Sequence, residues 1–112
     1  LLQGVTTVVT NNDGGGRAGV GALLAEREKA GIGTNAAAYV GHGSVRRQVM
    51  GMSAAAPTPA QLDSMRAVVR RAMEGGALGL STGLYYAPGS YATTEEVVAL
   101  ATVAGRAGGV YD

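Results

Sequence analysis

The sequence contains no Cys, no Trp and no Phe, and a single His. Without Cys there is no disulfide framework and no thiolate metal site within these residues. The only aromatics are five Tyr. They do not alternate with basic residues, so the signature of nucleic-acid binding is missing. Charge is sparse: nine Lys and Arg against eight Asp and Glu give a net +1, spread out apart from the pairs Arg46-Arg47 and Arg70-Arg71. No apolar run approaches the roughly 18 residues of a membrane span, so no membrane partner is expected, and a cytoplasmic location is. Neither an initiating Met nor a basic-then-apolar leader is present. Leu1-Leu2-Gln3-Gly4 reads as the last turn of a helix with its Gly cap, and Gly109-Val110-Tyr111-Asp112 as a strand stopped partway. The 112 residues therefore read as an internal fragment of one domain, residues 1–112, with both flanks missing.

Apolar residues make up 46% of the chain, and there are 19 Gly, a composition that builds a packed core. Strand-like segments at about residues 5–10, 34–40, 77–81 and 109–112 alternate with helix-like ones near 17–30, 59–74 and 94–107. Val5, Val8 and Val9 with Thr6, Thr7 and Thr10 are β-branched and suit a buried strand. Thr58 is a good N-cap, Pro59 suits the first helical position, and Gln61 completes a capping box. Leu62, Met65, Val69, Ala72 and Met73 then form one apolar face. Thr93 and Glu96 open the last helix, which buries Val97, Leu100, Ala101 and Ala104. The first helix is weaker, because Gly19 and Gly21 each cost roughly 1 kcal/mol against Ala. Strand–helix alternation implies a parallel sheet with right-handed crossovers, either doubly wound or part of a (β/α)8 barrel.

Both architectures place function at the carboxyl ends of the strands, and polar chemistry gathers there. Asn11-Asn12-Asp13-Gly14-Gly15-Gly16 follows the first strand, Gly41-His42-Gly43-Ser44-Val45-Arg46-Arg47 the second, and the stretch Ser81 to Tyr91 the third. The opposite strand ends carry only Gly and small apolar residues. Each cluster also has a plain reading. Asp13 can bond its own loop as an Asx-turn, His42 can be structural or solvated, and Ser81 can cap a strand end. Arg46-Arg47 can begin a short exposed helix running to Met52, and the tyrosines can be loop packing. A phosphate cradle at Gly14–Gly16 has neither G-x-G-x-x-G nor G-x-x-x-x-G-K-[ST] to support it. Ser81-Thr82-Gly83 lacks the G-x-S-x-G elbow of a serine hydrolase.

Taken together, GVTTVV with its Asn-containing Gly turn, VGHGSVRRQVMG, GALGLSTGLYYAPGSYATTEEVVALA and GGVY resemble the N-acyl-D-amino-acid deacylases (D-aminoacylases) of the amidohydrolase superfamily. STGLYYAPGSYAT is the most specific stretch. The resemblance implies an α/β fold of consecutive βα units forming about half of a (β/α)8 barrel. It also implies a zinc-dependent hydrolase that releases a D-amino acid and a carboxylate from an N-acyl-D-amino acid. In the family's Asn-Cys-Gly turn the Cys ligates metal; Asp13 occupies that position here, and a carboxylate can take the role. Tyr86 is the implied substrate-binding residue, joined on the rim by His42 and Ser81. The other ligands and the general-base Asp have no counterpart in these residues, so the rest of the barrel is the required partner and the chain alone is expected to be inactive. Two other readings are a cyclic-amide hydrolase of the dihydroorotase or hydantoinase type and a non-catalytic phosphate- or nucleotide-binding α/β module.

Overall fold

A computed structural model describes residues 2–112; the helix-end reading of Leu1 lies outside the described residues. In chain order the elements are β1 (Thr7–Thr10), α1 (Val20–Ala30), β2 (Asn35–Ala38), β3 (Val40–Gly41), α2 (His42–Met50), α3 (Pro59–Glu74), β4 (Gly79–Ser81), α4 (Thr94–Arg106) and β5 (Val110–Tyr111). A 3-10 turn spans Gly89–Tyr91.

The strands pair in parallel as β1 with β2, β3 with β4 and β4 with β5. Only Tyr39 separates β2 from β3, and the hydrogen bonding runs through it. The Tyr39 N–H donates to the Thr10 carbonyl at 3.0 Å on one side, and the Leu78 N–H donates to the Ala38 carbonyl at 2.9 Å on the other. Four consecutive parallel segments are thus bonded in sequence order. A doubly wound sheet reverses its strand order at a switch point. None is present among the described residues, and the sequential order is that of a barrel arc.

The helices form one layer, α3 packing against both α1 and α4. The α3 bounds are set locally: Thr58 Oγ1 accepts from the Gln61 N–H at 3.2 Å, and Gln61 Oε1 accepts from the Thr58 N–H at 2.9 Å. Thr93 caps α4 through the Glu96 N–H at 3.3 Å. The Glu95 carboxyl in that first turn is held below the ordinary carboxylate range by a backbone N–H and the Thr93 hydroxyl. By contrast, α1 starts at Val20, later than its sequence suggests, and Gly19 at its N-cap supplies no side-chain cap. Only Val20 of α1 is fully buried.

Val20, Ala38, Val40, Val45, Met65, Val69, Leu80 and Leu100 form the core between sheet and helices. Contrary to the buried strand its β-branched residues suggest, no residue of β1 is fully buried, because no helix covers its outer positions. Val9 and, just before the strand, Val5 are exposed, as are Val110 and Tyr111 of β5 and Leu78 just before β4.

The segment after β3 is helical as the plain reading of Arg46-Arg47 allows, but the helix starts four residues earlier, at His42, and is not wholly exposed. Its polar residues form α2 with His42 at the first position, and one face of that helix, made of His42, Val45 and Arg46, is buried.

Candidate active site

The Asn11–Gly16 turn closes β1 and is bonded from two other strand ends. Asn11 takes a left-handed conformation, φ 63°, which Asn tolerates better than most residues, and its Nδ2 donates to the Tyr39 carbonyl at 3.2 Å. The Ser81 hydroxyl at the end of β4 lies inside the turn. It donates to the Asn11 carbonyl and accepts the Gly14 N–H at 3.1 Å. From the first turn of α2, the Ser44 hydroxyl donates to the Gly16 carbonyl at 2.6 Å. Gly14, at φ 77°, lies so close to β4 that a Cβ would come 2.8 Å from the Thr82 carbonyl carbon. No other residue fits there.

This stitching leaves Asp13 exposed. One carboxylate oxygen accepts the Gly15 N–H at 3.2 Å, an Asx-type turn. Asp13, Gly14, Gly15, Gly43, Arg47, Gly83, Tyr86 and Ala87 line one concavity of about 190 Å³. Tyr86 is 63% exposed, and its ring meets that of Tyr85 edge to face, centroids 5.5 Å apart. Its backbone is held at both ends: Tyr86 N–H donates to the Gly83 carbonyl at 3.0 Å, and Ser90 N–H donates to the Tyr86 carbonyl at 2.9 Å. Gly43 and Arg47 stand four residues apart on α2, and so share a helix face. With no side chain at Gly43, that face leaves the guanidinium room at the rim. A larger hollow, about 280 Å³ among α1, α2 and α3, has no acid or phenol on its wall.

Of the four residues singled out from the sequence, the structure brings Asp13 and Tyr86 to one concavity. It places His42 and Ser81 otherwise than direct substrate contact requires. Both are fully buried, and neither lines that wall. Ser81 is engaged in the turn. The His42 Nε2–H donates to Glu96 Oε1 at 2.8 Å, and Arg46 Nη1 donates to Glu96 Oε2. The second Arg46 nitrogen, Nη2, donates to the carbonyls of Ser53 at 3.2 Å and Ala55 at 2.6 Å. In the sequence Glu96 reads only as the capping partner of Thr93. The signal for its larger role was the four-residue spacing of His42 and Arg46, which on a helix puts two basic groups on one face. Buried there, they require an acid.

The Gly run is no phosphate cradle. Ser81 and Asp13 already take the Gly14 and Gly15 N–H groups, and α1 does not begin until Val20. Among the described residues no group of three or more His, Cys, Asp or Glu gathers to hold a metal ion. Asp13 supplies one accessible oxygen donor of a kind zinc accepts, and a complete coordination shell needs ligands beyond these residues.

No family model matches the chain, but individual relatives do. The D-aminoacylase of Alcaligenes xylosoxydans xylosoxydans is 40% identical over 77 residues, 69% of this chain and 16% of its own length. The N-acyl-D-glutamate deacylase of the same organism is 40% identical over 91 residues, 81% of this chain and 18% of its own. Among solved structures, the N-acyl-D-glutamate deacylase from Bordetella bronchiseptica, complexed with zinc and a phosphonate mimic of the tetrahedral intermediate, superposes with a TM-score of 0.88 at 34% identity. A D-aminoacylase whose structure defines a novel subset of amidohydrolases superposes at 0.87 with 32% identity. Each match covers 97% of this chain and 28% of the solved one. The chain thus spans about a sixth of the length of the curated relatives it matches. With the sequential parallel arc and the rim it carries, these matches make the chain a member of the N-acyl-D-amino-acid deacylase (D-aminoacylase) family of amidohydrolases.

Proposed function

We propose that this chain contributes part of the active site of a zinc-dependent hydrolase that cleaves the amide bond of N-acyl-D-amino acids, giving a D-amino acid and a carboxylate. The observation that carries the reading is the meeting of Asp13 and Tyr86 in one concavity, from loops after β1 and β4. In this reading Asp13 is one ligand of the zinc, and the remaining ligands and the general base come from the rest of the barrel. Zinc held there would polarise the scissile carbonyl and activate a water. The Tyr86 hydroxyl donates to the carbonyl oxygen as negative charge develops on it. Arg47, with its five fixed N–H donors, suits a substrate carboxylate. Ser81 and His42 serve the site from beneath. The relatives point the same way: one is a D-aminoacylase and another an N-acyl-D-glutamate deacylase. Among the described residues no helix is long and apolar enough to cross a membrane; a cytoplasmic location is part of this proposal.

The test is hydrolysis by the full-length, zinc-loaded protein of paired N-acyl-D- and N-acyl-L-amino acids, alongside a cyclic amide such as a hydantoin. Turnover of the D-series alone is the expected result. Turnover of the cyclic amide with neither linear series would overturn it.

A further inference from the structure

His42, Arg46 and Glu96 are fully buried or nearly so, at 0%, 0% and 2% exposure, yet none lines the concavity. Such a cluster is costly to desolvate, and a well-packed apolar substitute is often as stable. Its position points to a further use. Gly89 is buried and sits against His42: a Cβ on Gly89 would lie 3.6 Å from His42 Nδ1 and 3.2 Å from the Gly83 carbonyl oxygen. Gly83 and Ser90, which hold the Tyr86 backbone at both ends, flank this seat. The 3-10 turn that Gly89 opens packs on α2. The His42 ring makes its one hydrogen bond through Nε2 to Glu96, since Nδ1 has no partner. Glu96 alone therefore sets the ring's rotation by hydrogen bonding, and Arg46 fixes Glu96.

Building on the function proposed above, we propose that His42 and Glu96 are positioning residues. The Arg46–Glu96–His42 chain orients the imidazole as the seat for Gly89, and through Gly83 and Ser90 it fixes Tyr86 over the concavity. The cluster acts on the reaction through Tyr86 and touches no substrate. It also gives the Gly-His-Gly-x-x-Arg stretch a role that substrate contact does not.

The test uses the full-length, zinc-loaded protein with two mild variants. His42→Phe keeps a ring of similar bulk and leaves the Arg46–Glu96 pair intact. Gly89→Ala adds one methyl group at the seat. Two measurements are made on each. Hydrogen exchange at the Tyr86 and Ser90 amides reads the loop without reference to activity. A double-mutant cycle with Tyr86→Phe reads the coupling during turnover of an N-acyl-D-amino acid. Both variants should speed exchange at those two amides by roughly tenfold, and should lower kcat by a similar factor with KM little changed, as expected of coupled neighbours. In the Tyr86→Phe background the same substitutions should change kcat by less than about twofold. Unchanged exchange would overturn the proposal. So would an equal kcat loss in both backgrounds, which would mark the cluster as general scaffolding. If the parent protein turns over no N-acyl-D-amino acid, the proposed function fails, and the exchange measurement still decides whether the cluster holds the loop.

Discussion

Arg46 and Arg47 are neighbours in sequence and opposites in structure. Arg46 is fully buried and spends two nitrogens on Glu96 and on the carbonyls of Ser53 and Ala55. Arg47 is exposed and lines the concavity with Asp13 and Tyr86. A rotation of about 100° per residue along α2 is enough to separate them. The contrast extends to the whole rim, where Asp13, Arg47 and Tyr86 make an exposed wall above a buried layer of Ser81, His42 and Glu96. Chemistry-bearing residues at the strand ends thus divide into those exposed on the concavity and those buried behind it. In the functions proposed above, the first set meets a ligand while the second holds it in place.

The largest expected effect tests that division directly. Arg46→Met leaves the Glu96 carboxylate buried without its cation and should cost about 3–5 kcal/mol of stability. Arg47→Met should stay within about 0.5 kcal/mol. Denaturant unfolding of the full-length protein measures both, and equal losses would dissolve the comparison.

Next comes Asp13. Asp13→Ala should lower bound zinc and activity together, by at least the roughly 10–100-fold that loss of a supporting partner costs a metal site. Asp13→Cys should restore binding, because zinc–sulfur and zinc–oxygen bonds differ by only about 0.1–0.3 Å. Metal content of the purified, folded variants checks this. Unchanged stoichiometry in Asp13→Ala would reduce Asp13 to the Asx-turn it makes with Gly15.

Ser81→Ala belongs to the buried layer and should destabilise by about 1–3 kcal/mol, since it strips the buried Gly14 N–H and the Asn11 carbonyl of their partner. A Ser81 contact with substrate would instead raise KM with stability intact. Kinetics and thermal unfolding of the same variant separate the two.

The smallest effect is on the outside of α4. The Glu95 carboxyl is held below its ordinary range in the folded state, so it favours the fold above the ordinary carboxylate range. That contribution is lost as pH falls through the lowered folded value. Glu95→Gln should therefore lower the unfolding midpoint slightly near neutral pH and not in strong acid. A difference that persists in acid would rule out the charge as its cause.

The bounds of α3 and α4 were legible because Thr58 with Gln61, and Thr93 with Glu96, carry their start signals within four residues. The first strand was legible from its β-branched run. Asn35–Ala38 and Gly79–Ser81 were legible only from the Gly residues and helices around them, and the break at Tyr39 within the expected segment 34–40 was not. Of α2 only the second half was legible, as a short exposed helix from Arg46-Arg47; its start at His42 and its buried face were not. Gly41 gives it no side-chain cap, and a polar run around His42 resembles a loop until its inner face finds Glu96. Asp13 and Tyr86 could be placed at strand ends from sequence, but not in one concavity.

What the sequence determined by itself is therefore local: the alternation of strand and helix, the capped helix starts, and the gathering of polar residues after each strand. These follow from propensity, capping and hydrophobic period, which act over a few residues. The tertiary structure alone decided which of two adjacent arginines is buried, that Ser81 bonds a turn 67 to 70 residues away, and that Glu96 gathers partners 50 and 54 residues distant. Those outcomes depend on desolvation, and a charged group's partner across the fold has no signature in its own neighbourhood.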